Sequence, residues 1–435
     1  MSFKDVLFTR YFTIRNWFIA GNFLLLFLLI AAVVQDSRRE WKTYQKEFYA
    51  RETKRLKAGL SSAVDAEEKN RLSKKLALVK AQPVRLRQEM VEPMDRFDRC
   101  LTCHLGYDPI LSPSQETPYP DHPFSAKPNA VHAAHPVEKF ACSVCHEGQG
   151  LATTVRDAHG PVPHWERPLR TGVYLQASCA KCHSNLFDEK AMPFASGWRR
   201  GEAVFRELGC IGCHQIRGQG GPISVDLAEE TSDKPLSRID WSHTGLGEEE
   251  RTLAEWIRLH LAKDPWDLVP GDPEGKFNEE PIAPSGMPSF ALSDEDARAV
   301  TTYVLSFAPD RIPAQYAAAS PARTTPVFRT AVERGRAVYV KYGCAGCHAP
   351  DGSGGIRNFN YQNITEPNLK KVVSTYTREE LKEKIEKGVA VVAKADAKGP
   401  QPPLYMPPWK EKIRGPEMED LLTYLFSIAD KQEEW

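Results

Sequence analysis

Gly209-Cys-Ile-Gly-Cys-His214 returns 134 residues later as Gly343-Cys-Ala-Gly-Cys-His348. Three further copies of the same core pattern precede them: Cys100/Cys103/His104, Cys142/Cys145/His146 and Cys179/Cys182/His183. These five motifs use all ten cysteines of the 435-residue chain. Two thiols three positions apart, followed directly by an imidazole, form the attachment signature of a c-type haem: the thiols become thioethers on the haem vinyl groups and the histidine reaches the iron. With 12 histidines in the whole chain, five such coincidences have a random chance on the order of 10⁻⁸. Zinc ribbons combine two C-x-x-C pairs per metal, so five pairs leave one unused and need no histidine after each. A bridge inside C-x-x-C closes a tiny loop and is a redox bond rather than a staple. The reading is therefore five covalently attached haem c groups, one per motif.

The sequence around the last two motifs repeats as well. Val204 and Phe205 lead into Gly209-Cys210, and Val338 and Tyr339 lead into Gly343-Cys344. Thr252-Leu-Ala-Glu255 opens a helix through Trp256 and Leu259 with a capping-box pattern; Thr377-Arg-Glu-Glu380 does the same for Leu381 and Ile385. Met287-Pro288 corresponds to Met406-Pro407, and the final helices carry Val300, Tyr303 and Val304 against Leu421, Tyr424 and Leu425. The first three motifs, by contrast, begin at 100, 142 and 179. Three haems in so short a stretch leave no room for three separate apolar cores, so the porphyrins must themselves be the core. Dense Pro and Gly predict loops and short helices there.

Residues 197–312 and 325–435 each resemble a class I cytochrome c, an all-helical fold in which an N-terminal helix crosses a C-terminal one. In that family a methionine downstream of the haem motif is the second axial ligand, and the matching positions are Met287 and Met406. Met192-Pro193 lacks such repeat context and reads as structural. Seven histidines lie outside the motifs, five of them (His122, His132, His135, His159, His164) in the trihaem segment, where the irons lack a methionine candidate. Bis-histidine ligation is expected there, from His135, His159 and one of His122 or His164, with His132 as the spare. His243 and His260 are not needed if Met287 ligates.

Asn16 to Gln35 is free of charge and centred on Phe23-Leu-Leu-Leu-Phe-Leu-Leu-Ile-Ala-Ala-Val-Val34, long enough to cross about 30 Å of hydrocarbon as an uncleaved helix. A cleaved signal peptide is the competing reading, and Val33-Val34-Gln-Asp36 is a poor cleavage site. Lys4, Arg10 and Arg15 favour an inside N-terminus; Arg38, Arg39, Lys42 and Lys46 argue the reverse. Haem attachment occurs outside the bacterial cytoplasm, which sets the expectation: a single-pass protein of the inner membrane with its haems in the periplasm. The chain has 57 basic and 57 acidic side chains, with +7 concentrated in residues 36–90 and −9 in residues 91–435. That balance gives no support for a nucleic-acid binder. Residues 36–90 carry an apolar stripe (Trp41, Tyr44, Phe48; Leu72, Leu76, Val79) that predicts two helices with a break near Gly59 to Ser62.

The expected fold is mainly α. It comprises an N-terminal segment, 1–35, with a transmembrane anchor at about 16–35; a charged helical spacer, 36–90; a loop-rich trihaem segment, 91–196; two tandem class I cytochrome c domains, 197–312 and 325–435; and a Pro/Ala linker, 313–324, between them. The arrangement, with His135-Pro-Val-Glu-Lys-Phe-Ala-Cys-Ser-Val-Cys-His-Glu-Gly-Gln-Gly150, is similar to membrane-anchored multihaem subunits of bacterial quinol-oxidising respiratory complexes. That resemblance implies an electron-transfer subunit with no catalytic residue of its own. Its partners would be a cytochrome b-type or related quinol-oxidising membrane subunit, the lipid bilayer, and a soluble cytochrome or oxidase as acceptor. Two alternatives stay open: the electron-input subunit of a terminal oxidase, and a peroxidase- or nitrite-reductase-like enzyme with one open-coordinate haem.

Overall fold

The computed structural model describes residues 13–107, 134–163, 165–308, 312–319, 323 and 327–430. It is mainly helical, with two short two-stranded ribbons among the described residues. It divides into two compact units: Met1–Val144 with Gln149–His159, and Cys145–Gly148 with Gly160–Trp435.

The first unit opens with α1 (Ile14–Ser37), whose N-terminus is capped by the Thr13 hydroxyl. Every α1 side chain from Trp17 to Val34 that is large and apolar is exposed. Helices α2 (Glu40–Ser62) and α3 (Ala66–Lys80) form a hairpin broken at Ala63 to Asp65, just past the Gly59 to Ser62 stretch expected from the sequence, because Asp65 supplies the cap of α3 by accepting from Glu68 N. The expected stripe faces inward: Phe48, Leu56, Leu72 and Val79 are buried, Leu76 packs on them, and Leu105 beside the first motif completes the cluster. Gln45, fully buried in α2, gives its amide to the carbonyls of Arg85 and Thr102 and accepts from Arg85 N. Residues 36–90 are thus a packed support for motif 1. A ribbon of β1 (Glu89–Val91) and β2 (Arg96–Asp98), paired Glu89 to Asp98, delivers the chain to Cys100.

The second unit contains the two repeats. In the first, α4 (Ser196–Glu207) crosses α6 (Asp294–Leu305), with α5 (Leu253–Ala262) against them; in the second, α7 (Ala331–Lys341) crosses α9 (Pro416–Ile428), with α8 (Arg378–Lys387) alongside. Each crossing is made at a glycine. A Cβ on Gly201 would lie 2.0 Å from Ala299 O, and one on Gly335 would lie 2.0 Å from Asp420 O. The aromatic pair beside each crossing repeats too, Phe205 on Tyr303 (centroids 5.2 Å) and Tyr339 on Tyr424 (5.4 Å). Thr377 and Glu380 form the reciprocal capping box. At Thr252 only the hydroxyl cap forms, because the Glu255 carboxylate is taken by Tyr174 (3.0 Å) and Arg258 (2.6 Å).

Among the described residues between motifs 1 and 3 the regular structure is reduced to short helical pieces, in keeping with the Pro- and Gly-rich sequence. The 3-10 run Gly172–Lys181, which carries the start of motif 3, packs into the first repeat: Tyr174 and Ala177 belong to the same buried cluster as Val204, Phe205, Val300 and Tyr303.

Candidate haem-binding sites

Each motif is a single tight turn. The histidine N–H donates to the carbonyl of the first cysteine in four of them, at 2.9 Å for His104 and His183 and 3.0 Å for His214 and His348. That bond rolls both thiols and the imidazole onto one side of the turn, the arrangement that two thioethers and an axial ligand require. In the remaining motif, Ser143–His146 is a one-turn helix. In motif 3 the second attachment residue, Cys182, is pinned by its backbone on both sides. It ends the 3-10 run by donating its N–H to Cys179 O at 3.2 Å, and its carbonyl accepts from Ala318 N at 2.8 Å.

All ten cysteines, Cys182 among them, are half-buried. Burial pushes the Cys103 and Cys179 thiols up to about 11 and those of Cys210 and Cys344 up to about 12, with Cys145 and Cys182 adding to the rise at Cys179. Reactive thiolates sit in electropositive places that lower their pKa; these four thiols have no such surroundings, whereas the hydrogen bond to Cys347 lowers the pKa of Cys213.

In the two repeats a backbone carbonyl holds the motif histidine by its Nδ1. His214 Nδ1 meets Val225 O at 3.0 Å and His348 Nδ1 meets Pro367 O at 3.1 Å. A carbonyl on Nδ1 fixes the tautomer with its proton there and leaves the Nε2 lone pair for a metal. Burial lowers both imidazole pKa values, keeping the neutral, ligating form. Met287 packs against the same apolar cluster as Cys210, and Met406 against the same cluster as Cys344. Different loops hold them. Ser285 N bonds Val269 O, Ser285 Oγ accepts from Met287 N, and Gly271 at φ +64 lets the chain pass Ala283 O at a distance no Cβ allows. In the second repeat Val389 N bonds Met406 O at 2.7 Å and Gly388, φ +65, lies against Met406 and Pro407. His260 donates from Nδ1 to Trp256 O in its own helix (2.8 Å), with its ring edge-on to Trp256; His243 is exposed. Met192 is half-buried, and its carbonyl accepts from Arg199 at 2.7 Å.

Around the first three motifs the structure brings His159 to His104, their ring centroids 5.8 Å apart and their planes tilted by 35°. Two imidazoles on opposite sides of one metal, each with its nitrogen about 2 Å from it, place their ring centres roughly 6 Å apart. His159 is half-buried, and burial lowers its pKa below the ordinary imidazole value. His135 packs on Phe140, centroids 4.9 Å apart. His122, His132 and His164 lie outside the described residues.

Two charged side chains that the sequence reading passed over organise this region. Asp98, 2% exposed, accepts the N–H groups of Cys142 (2.5 Å) and Ser143 (2.6 Å), and its carboxylate lies within 4.8 Å of the Cys100 and Cys142 sulfurs. A Cβ on Gly150 would strike Asp98 Oδ1 at 2.2 Å, so that glycine admits the carboxylate. Glu147, directly after motif 2, is buried and pairs with Lys181 inside motif 3 (3.0 Å) and with Arg170 (3.3 Å). Burial opposes its ionisation, yet Arg170 and Lys181 outweigh that and hold its pKa below the ordinary value. The only hint in the sequence was their adjacency to the motifs; the partner positions are not periodic.

The donor set therefore fits haem c. Half-buried cysteines and imidazoles bonded through Nδ1 share one turn in both repeats, and a methionine joins the same apolar wall. Residues 198–308 and 332–429 match the family model for cytochrome c. No curated protein matches the chain. Among solved structures, the Kuenenia stuttgartiensis reducing HAO-like protein complex Kustc0457/Kustc0458 is similar at 16% identity, over 53% of this chain and 96% of that one, with a TM-score of 0.14. The matched stretches coincide with the two helix-crossing repeats, each with its C-x-x-C-H turn: the C-terminal part of the chain holds two cytochrome c domains, of a family that binds haem c covalently.

Proposed function

We propose that this chain is a membrane-anchored pentahaem electron carrier. It would take electrons from a cytochrome b-type or related quinol-oxidising membrane partner and deliver them to a periplasmic cytochrome or oxidase. Bound haem c supplies a one-electron Fe(III)/Fe(II) couple. The observation that carries the reading is the neighbouring of attachment cysteines from successive motifs. Cys100 and Cys142 have their sulfurs within 4.8 Å, Cys145 lies close enough to help raise the Cys179 pKa, and Cys213 and Cys347 have sulfurs 3.9 Å apart. Spacing of this kind suits electron relay, because tethers only a few bonds long join each sulfur to its porphyrin.

The axial set follows from the same residues. His104 and His159 would hold the first iron, His214 with Met287 and His348 with Met406 the last two, while His146 and His183 would be completed by His135 and one of His122 or His164. Methionine ligation raises a c-type potential relative to bis-histidine, so electrons enter at the first three haems and leave through residues 325–435. The exposed apolar flank of α1 supports a single bilayer span, with the haem domains on the periplasmic side. The net negative charge of residues 91–435 favours a basic partner face, whose association slows with added salt.

The test is low-temperature EPR of the oxidised, purified full chain, with carbon monoxide added to the reduced protein. Five low-spin signals and no gas uptake are expected of a carrier. A stoichiometric high-spin haem that binds the gas would refute it in favour of an enzyme with an open iron.

A further inference from the structure

The two cytochrome repeats meet at their haem-attachment turns, and the meeting is backbone on backbone. A Cβ on Gly209 would lie 2.4 Å from Gly346 N, and one on Gly343 would lie 2.2 Å from Gly212 N. Gly212 faces Gly343 O at 2.1 Å, and Gly346 faces Gly209 O at 2.7 Å, on the same measure. Gly209 and Gly343 are equivalent in the repeat, as are Gly212 and Gly346. The contact is therefore of the two-fold kind, in which i meets j and j meets i. No side chain larger than hydrogen fits this approach at any of the four positions, and the result is that Cys213 Sγ and Cys347 Sγ lie 3.9 Å apart. Motifs 1 to 3 (Arg99-Cys-Leu-Thr-Cys, Ala141-Cys-Ser-Val-Cys, Ser178-Cys-Ala-Lys-Cys) carry neither glycine. The rest of the contact is built to hold this approach. Arg357 pairs with Asp264 and covers the Trp266 ring at 4.3 Å, Trp266 meets Phe359 edge-on, Lys412 reaches Gly220 O, and Gly286 beside Met287 packs on Pro403.

We propose that this four-glycine seam makes the haem sites of motifs 4 and 5 a single interacting pair. The inference rests on the haem reading of those two motifs. Each sulfur reaches its porphyrin through one carbon, so at about 1.5 to 1.8 Å per bond the two ring edges can be no more than about 10 Å apart. An electron passing between them oxidises one iron from Fe(II) to Fe(III) and reduces the other from Fe(III) to Fe(II), with no proton and no further reactant. Charge placed on one iron is felt by the other, so the pair titrates in two macroscopic steps that belong to the pair. The function this adds is a two-electron store at the exit end of the carrier.

The experiment is Soret circular dichroism during a redox titration of the full chain, with haem per chain counted from the pyridine haemochrome. The wild type is expected to give a bisignate Soret couplet that titrates with the two Met-side haems, strongest when both share one oxidation state, and it is this component by which the variants are read. Gly212→Ala and Gly346→Ala are the discriminating variants. Neither glycine has a positive φ, so each turn accepts alanine, and the atoms nearest the added methyl belong to the opposite turn. Both are expected to keep five haems and lose the couplet, the two macroscopic steps collapsing into independent one-electron waves. Arg357→Ala combined with Lys412→Ala loosens the contact from its rim without touching either motif and is expected to weaken the couplet, which decides the matter if an alanine variant fails to mature. A wild type with five haems and no couplet, or a Gly212→Ala protein that keeps it, overturns the seam. A chain lacking haem at motifs 4 and 5 overturns the haem reading itself.

Discussion

Gly335→Ala is the sharpest perturbation of the cytochrome fold itself. The added Cβ would sit 2.0 Å from Asp420 O and 2.6 Å from Tyr424 Cβ, against an ordinary contact of roughly 3.4 Å or more. Helices α7 and α9 must therefore part by more than 1 Å at their crossing, and a gap of 0.5–1 Å already forfeits about a quarter to a half of each dispersion contact. The contacts at stake are those of Tyr339, Leu421, Leu422 and Leu425, all buried in one cluster. Overpacking of this type costs about 1–3 kcal/mol, and a backbone-to-backbone clash belongs at the upper end. The helix gains back about 1 kcal/mol because alanine replaces glycine in its interior. The net is a loss of about 2 kcal/mol, which for a domain of this size lowers Tm by roughly 8–16 °C. The assay is thermal unfolding of the full chain followed by far-UV and Soret circular dichroism, with Gly201→Ala as the matched variant in the first repeat. A Gly335→Ala protein as stable as the wild type, or more so, would mean that helix propensity dominates and that the close crossing does not hold the fold together.

The remaining expectations concern the haem supports and the acid side of the stability curve. His159→Ala removes the imidazole beside His104 and is expected to convert one haem to high-spin and to confer stoichiometric carbon monoxide binding on the reduced protein; unchanged low-spin EPR would exclude His159 as a ligand. Leu422→Ala deletes a fully buried side chain and should cost about 3 kcal/mol, read as a fall in the denaturant midpoint with unchanged slope. The N–H groups of Phe277, Lys276 and Asn278 hold the Asp272 carboxyl below its ordinary range. A carboxylate with a depressed folded pKa adds stability above its unfolded pKa of about 3.9 and loses it as pH falls below that value. The loop from Asp272 to Ile282 should therefore open to proteolysis below about pH 4, and Asp272→Asn should open it at neutral pH; equal protection in both proteins would refute the assignment.

The helices of both repeats were legible because three signals coincide there: apolar periodicity, Ser/Thr caps and a second copy displaced by a nearly constant interval. The α2–α3 hairpin was legible from its stripe, though what the stripe packs against was not, since Leu105 and the Gln45 bonds to Arg85 and Thr102 are long-range pairings. The run Gly172–Lys181 was less visible for another reason. Its buried members Tyr174 and Ala177 lie one 3-10 turn apart, and two apolar positions at a spacing of three are too few to read as a stripe. Cys182, which closes that run, was legible as an attachment thiol from its motif alone, whereas the bond from Ala318 N to its carbonyl joins positions far apart in the chain and left no trace in the sequence. Asp98 and Glu147 escaped for a third reason: a single buried carboxylate is defined by the cations or N–H groups around it, and those come from residues more than 20 positions away.

The four seam glycines show how one residue type does separate work in a single short motif. Gly209 and Gly343 carry φ of 71° and 69°, so glycine is already demanded there by the turn that closes α4 and α7. Sequence alone accounts for those two as helix stops. Gly212 and Gly346 have no such backbone reason, since their φ is ordinary and the motif tolerates Thr102, Val144 or Lys181 at the equivalent place. A glycine that its own turn does not require is explained by what approaches it, and here that is the backbone of the other repeat. The distinction separates local from long-range causes: substituting Gly212 or Gly346 should alter the relation between the two domains while leaving each domain's own fold intact, whereas substituting Gly209 or Gly343 should damage both.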